Sequence, residues 1–383
     1  MTKLEELDLQ SKTINWLRFP LAILVIFVHM NPEVNMLNVD YSHFDMYSLY
    51  NFFGILVSHT IGGIAVPCFF MFSGYLFFNK IKKWNKTIYF TKIRTRLRTL
   101  VIPFILFNLV AVILHVFLKV LKADASTYPD LRNLLENWCR IFWSYHSWGA
   151  GAHNIFGQQL SLNYGPYVLP LWFLRDLIVM IFISPIIYYF VKFTKIYGLC
   201  ILFFFYYTKF WFVIPEYSER LFLLAFFFFS LGSFFGINSK NIIISLRKHQ
   251  VIWFVFALIS MFLSVYFHGT ENRKFFLPIY ILSGVISVVN ITSFFIEHGK
   301  LKVSETLSKA SFFIYCTHYI AILPYTHKAI KFCFSQTLGT NSIIGLFATY
   351  IITPLTCGCI ILCIYLFMNR FTPKILSLFT GNR

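Results

Sequence analysis

The chain has 383 residues, of which 58% are hydrophobic, 20% aromatic (48 of them Phe) and only 13% charged. So few charged groups cannot keep the outside of a soluble protein of this length wet, which disfavours a soluble enzyme, a nucleic-acid binder and a disordered chain. In a membrane protein the net charge of +18 reports orientation, so where the cations sit matters more than their sum.

Residues 1–13 are polar and mixed in charge, without the basic, apolar and small-residue plan of a cleavable signal. The first apolar run therefore reads as a retained helix. A membrane span needs about 20 mostly apolar residues. Runs of that kind predict ten spans, at 14–32, 56–78, 99–121, 169–191, 197–215, 219–237, 250–268, 276–296, 310–332 and 343–369. Any one of them taken alone fits a buried core helix; ten in one chain argue for a membrane. Only Glu216–Ser218 separates the fifth from the sixth, and 51–78 is long for a single helix.

An even number of spans puts both termini on one side. With the termini cytoplasmic, 21 of the 33 Lys and Arg fall in inner segments and 8 in outer ones. The remaining four, Arg18, Lys119, Arg175 and Lys209, lie in or at the edge of spans. This is the positive-inside pattern. The fold class predicted is an all-α integral membrane protein of about ten transmembrane helices, both termini cytoplasmic, with residues 1–383 forming a single domain.

The one long loop, 122–168, falls outside the membrane. Trp143–Trp148, Gly149–Gly151 and the stretch from Asn154 to Pro170 are rich in aromatics, Gly and amides. A sugar-binding surface and an interfacial aromatic belt share that composition, so both readings stay open. Cys357, Cys359 and Cys363 lie in the last span and only Cys139 and Cys333 face outward, which argues against a disulfide framework. No His/Cys spacing fits a metal site, and no internal repeat is visible.

An ionisable residue inside a span is costly unless it is paired, so each is a functional candidate. Arg18 and His29 lie eleven residues apart in span 1. At about 100° per residue they fall within roughly 20° of one face, about 16 Å apart along the axis, with Pro20 between them. The bland reading is a snorkelling Arg at one interface and a His at the other. Span 2 carries Ser73-Gly74-Tyr75, where a Ser-Gly pair permits close approach by a helix or by a ligand. Span 4 carries Trp172-Phe-Leu-Arg175-Asp176, and span 9 puts Tyr315 and His318 on one helix face. At about 1.5 Å per residue, His29 and Asp176 fall at similar depth, Arg18 and Ser73 within about 10 Å of the inner boundary, and His318 near mid-depth. Together they sketch a polar path across the membrane.

These residues resemble the acyltransferase type 3 family, ten-span bacterial membrane proteins that O-acylate surface carbohydrates and related extracytoplasmic molecules. The likeness rests on Arg18 and His29, on Phe69-Phe70 with Ser73-Gly74-Tyr75, on Trp172 to Leu177 with the later Ser184-Pro185, and on Ser311, Tyr315 and His318. These motifs occur in the family's order between residues 14 and about 320. No hydrolase-like outer domain follows span 10, as some members have, which removes one clue to the acceptor. The resemblance implies transfer of an acyl group, usually acetyl, from cytoplasmic acyl-coenzyme A to an extracytoplasmic hydroxyl, with acetyl-CoA as co-substrate rather than bound cofactor.

On that implication Arg18, Ser73 and Gly74 lie on the donor side, and the inner loop Lys80–Arg98, with Arg94, Arg96 and Arg98, offers cations for the donor's phosphates. The positive-inside rule explains the same loop cations without any ligand. His29 is the candidate to take the acceptor's proton or to carry the acyl group, in a catalytic set that also holds Arg18, Asp176 and His318, with Trp172, Arg175 and Tyr315 toward the acceptor. Asp176 either orients the imidazole or neutralises Arg175, and the second reading is favoured. The expected partners are an extracytoplasmic carbohydrate, acyl-CoA and the lipid bilayer, with no nucleic acid and no metal. A glycan flippase or exporter is the rival function; it suits ten spans but should show two repeated halves.

Overall fold

The computed structural model describes residues 3–30, 39, 41, 43–79, 81, 84–122, 132, 138–143, 165–208, 223–340 and 342–382. The described residues are helical, with no strand among them. Most of the outer loop, the 209–222 junction between spans 5 and 6, and Lys80, Lys82 and Lys83 lie outside the described residues. The described residues fall into two compact units. One comprises residues 1–81, 228–318 and 322–365; the other comprises 82–227, 319–321 and 366–383.

In the first unit, helix α1 (Lys3–Val28) runs unbroken through Pro20. Leu17, Leu21, Ala22, Val25 and Ile26 are buried along it, the i, i+3, i+4 stripe of a packed helix. A second rod runs through α2 (Met46–Gly54), a π-helical turn at Ile55–Thr60, a 3-10 turn at Ile61–Ile64 and α3 (Ala65–Phe78). Asp45 caps α2: its Oδ1 accepts the Ser48 N–H at 2.7 Å, which holds the Asp45 carboxyl below the usual carboxylate range. The third element is α9 (Leu223–Ile237), of which Phe228–Ile237 belongs to this unit.

The α3–α9 contact is backbone against backbone. A Cβ on Gly74 would run into the Phe229 carbonyl oxygen, and one on Gly232 into the Met71 carbonyl oxygen. Small residues four apart, Gly232 and Gly236, let two helix axes approach this closely. Gly74→Val and Gly232→Val are each expected to cost about 3 kcal/mol by overpacking. A lowered thermal midpoint of the purified protein would report it, and an unchanged midpoint would show that the two helices can separate without loss.

Helices α10 (Ile242–Arg247), α11 (Gln250–Tyr266), α12 (Arg273–Glu297), α13 (Glu305–Thr317), α14 (Leu323–Leu338) and most of α15 (Ile343–Phe371) complete the unit. α1 packs on α13, α12 and α3, and α11 pairs with α12. A π-helical turn at His318–Ile322 joins α13 to α14, with the Leu323 N–H donating to the His318 carbonyl five residues back. Pro324 explains the widening, because it has no N–H to donate to the carbonyl four residues before it.

The second unit holds α4 (Lys86–Arg96), a π turn at Leu97–Val101, α5 (Ile102–Leu121), α6 (Trp138–Trp143), α7 (Trp172–Phe182), α8 (Ser184–Thr208) and α16 (Pro373–Thr380). Pro103 follows the Leu97–Val101 turn as Pro324 follows the other. The predicted span 169–191 is interrupted at Ile183, because Pro185 cannot donate to the Ile181 carbonyl and the Ile183 N–H turns back to Ile181 and Val179 instead. The boundary predicted between 191 and 197 falls at Lys195, whose positive φ of 52° breaks the helix. α5 exposes Ile113, Phe117, Val120 and Leu121 while burying Asn108, whose side chain accepts the Val168 N–H at 3.0 Å. Apolar groups outside and a satisfied amide inside are what lipid as solvent selects.

Among the described residues, six helical runs are long and apolar enough to cross a membrane: Leu4–Val28, Met46–Phe78, Lys86–Leu121, Ser184–Thr208, Arg273–Glu297 and Ile343–Phe371. Two shorter apolar helices, Leu223–Ile237 and Gln250–Tyr266, match the predicted spans 219–237 and 250–268.

Candidate active site

His29 follows directly on α1, where the chain tightens: its N–H donates to the Ile26 carbonyl and that of Met30 to the Phe27 carbonyl, both at 3.1 Å. His318 begins the π turn after α13 and is fully buried. The two imidazoles, far apart in sequence, lie against each other with ring centroids 5.3 Å apart and planes tilted by 36°. Nδ1 of His318 is 2.7 Å from the Tyr315 carbonyl oxygen. A carbonyl only accepts, so Nδ1 carries the proton and Nε2 is the acceptor nitrogen. Tyr315 is buried, its ring against Phe69 (6.1 Å) and His318 (6.2 Å), so three of the sequence motifs meet around one imidazole.

A polar chain that sequence reasoning missed secures the helix end carrying His29. Ser58 Oγ donates to the Phe27 carbonyl at 2.6 Å and lies 2.5 Å from the Tyr350 hydroxyl. Ser58 has a single hydroxyl hydrogen and spends it on the carbonyl, so the buried Tyr350 hydroxyl is the donor to Ser58. The π turn at Ile55–Thr60 presents Ser58 there, and nothing in the local sequence signals a partner in α15.

Eleven residues before His29, within α1, Arg18 is half-buried, and no carboxylate among the described residues forms an ion pair with it. Ser73 is half-buried on α3. Of the two approaches open to the Ser-Gly pair, a neighbouring helix takes the space at Gly74, where α9 sits against its backbone. Gln10, also missed, joins three elements: its Nε2 donates to the Tyr75 hydroxyl at 2.6 Å and its Oε1 accepts the Ile242 N–H at 3.0 Å.

The remaining candidates lie in the second unit. Arg175 and Asp176 are both buried, and one carboxylate oxygen receives Arg175 Nε and Nη2, each at 2.8 Å. Arg175 Nη1 donates to the Trp143 carbonyl at 2.8 Å, and its guanidinium lies over the Trp143 ring. The favoured pairing of Asp176 with Arg175 is thus present, with Trp143 added to it. Trp172 is half-buried at the start of α7. Arg94 and Arg98 are exposed, and Arg96 lines a small apolar cleft with Ile93, Leu97, Leu100, Ile178 and Phe182.

The family described as acyltransferase domain matches residues 11–369. The succinoglycan biosynthesis protein ExoH of Rhizobium meliloti (strain 1021) is 22% identical over 387 residues, covering 97% of this chain and 92% of that protein. No solved structure matches. Both units, and with them the paired histidines and the Arg175–Asp176 pair, fall almost wholly within the matched residues. The chain therefore belongs to the acyltransferase family and is a membrane O-acyltransferase.

Proposed function

We propose that the enzyme moves an acetyl group from cytoplasmic acetyl-CoA to a hydroxyl of an extracytoplasmic carbohydrate, a surface polysaccharide or lipid-linked glycan. It acts as a single ten-span domain in a bacterial inner membrane with both termini cytoplasmic. The observation that carries the reading is the contact of His29 with His318 on the helix that also bears Arg18. The naming of a relative for succinoglycan biosynthesis supports a polysaccharide acceptor.

His29 takes the proton of the acceptor hydroxyl as its oxygen attacks the thioester carbonyl. The tetrahedral intermediate collapses, the C–S bond breaks, and the imidazolium returns the proton to the departing coenzyme A thiolate. The products are the O-acetyl ester and free coenzyme A. His318 holds a fixed tautomer beside His29, and Ser58 with Tyr350 fixes the helix end below it. Arg18 and Ser73 serve the donor, with Arg94, Arg96 and Arg98 attracting its phosphates.

Sidedness tests the scheme. Sealed inside-out vesicles are expected to use acetyl-CoA added outside, whereas right-side-out vesicles should need it loaded within; equal use by both would refute a cytoplasmic donor site. Arg18→Lys keeps the charge but loses the planar fork. Its KM for acetyl-CoA is expected to rise about tenfold, the worth of one charge-assisted hydrogen bond. An unchanged KM would remove Arg18 from donor binding.

A further inference from the structure

A group of imidazole and guanidinium side chains in the first unit has no part in the chemistry above. Arg273 opens α12, and its Nη2 donates to the His59 carbonyl at 2.8 Å. His59 lies in the π turn Ile55–Thr60, and its ring faces that of His268, which follows α11, with centroids 5.3 Å apart. Two buried atoms in this group, Arg273 Nε and His268 Nδ1, have no hydrogen-bond partner among the described residues. The Thr60 hydroxyl, next to His59, is a third. No carboxylate among the described residues forms an ion pair with Arg273, while its neighbour Lys274 contacts Glu271 at 2.6 Å.

Buried polar atoms without partners are costly, and a guanidinium beside two imidazoles is the donor set that oxyanions recognise. Its place in the fold bears on where that oxyanion would come from. Ser58 precedes His59 in the chain, and its hydroxyl binds the Phe27 carbonyl two residues before His29. The cationic group and the candidate base are thus tied to the same end of α1.

We propose that Arg273, His59 and His268 bind an oxyanion, a carboxylate or a phosphate carried by the acyl acceptor, and so seat its hydroxyl at His29. The assignment to the acceptor rests on the acyl-transfer reading; the anion site itself does not.

The test uses the purified full chain in phosphatidylcholine nanodiscs, titrated with galacturonate, inorganic phosphate and, as the neutral control, galactose. Galacturonate or phosphate is expected to raise the thermal midpoint, and galactose to leave it unchanged. Arg273→Gln should weaken that response about tenfold or more. Where that variant does not fold, His268→Gln gives the same reading. No response to either anion, or an equal response in wild type and variant, overturns the proposal. A response that appears only when phosphatidylglycerol replaces part of the phosphatidylcholine means a lipid headgroup fills the site, and overturns the acceptor assignment. Acetyl transfer is measured in the same preparation. Its absence alongside Arg273-dependent anion binding would refute the function and leave the anion site standing.

Discussion

Replacing His29 by Ala is expected to lower acetyl transfer by about 10²–10⁴-fold, the contribution of a positioned general base. Insertion, expression and thermal midpoint should hardly change. The ring is half-buried and meets His318 without being enclosed in the core, so its removal opens no large cavity. His29→Gln, which keeps a polar side chain there, should lose as much activity, because an amide cannot take a proton at neutral pH. An active His29→Ala enzyme would move the base elsewhere, and His318 is its nearest imidazole.

Asp176→Ala should do the opposite and damage the fold first. Asp176 is 2% and Arg175 5% exposed, and removal of the carboxylate strands a buried guanidinium. Such a loss costs about 3–5 kcal/mol. The Trp143 carbonyl and ring retain part of the guanidinium's interactions but none of its countercharge. The diagnostic is a pair of variants. Replacing Arg175 and Asp176 together by Met and Leu should recover much of the stability, because the unpaired charge is gone. If Asp176→Ala is as stable as wild type and only activity falls, Asp176 belongs to the chemistry instead.

Much of the helical plan is legible in the residues because lipid imposes it: long apolar runs, cations gathered between them, and Arg18 and His29 on one helix. The irregular turns at or within the predicted spans 99–121, 169–191 and 310–332 were not read. Pro103, Pro185 and Pro324 each remove a donor, and each follows a widened or interrupted turn. Depth arithmetic put His29 level with Asp176 and His318 near mid-depth; the contact of His29 with His318 was not legible, since it depends on how α1 packs against α13. The same limit hid Tyr350 behind Ser58 and Gln10 beneath Tyr75, whose partners lie in distant helices. At Gly74 the sequence left helix and ligand both open, and the structure places the Phe229 carbonyl of α9 against its backbone. His59, His268 and Arg273 pass in the sequence for ordinary residues at helix ends; only their juxtaposition makes them a group.

The most direct measurement gives purified protein in liposomes acetyl-labelled coenzyme A and an extracted surface polysaccharide, then follows both the label and the free thiol. The account predicts that label passes to the carbohydrate as an alkali-labile ester, with one coenzyme A thiol released per ester formed, and that both stop in His29→Ala. Donor left intact while the glycan crosses the bilayer would contradict it and identify a transporter.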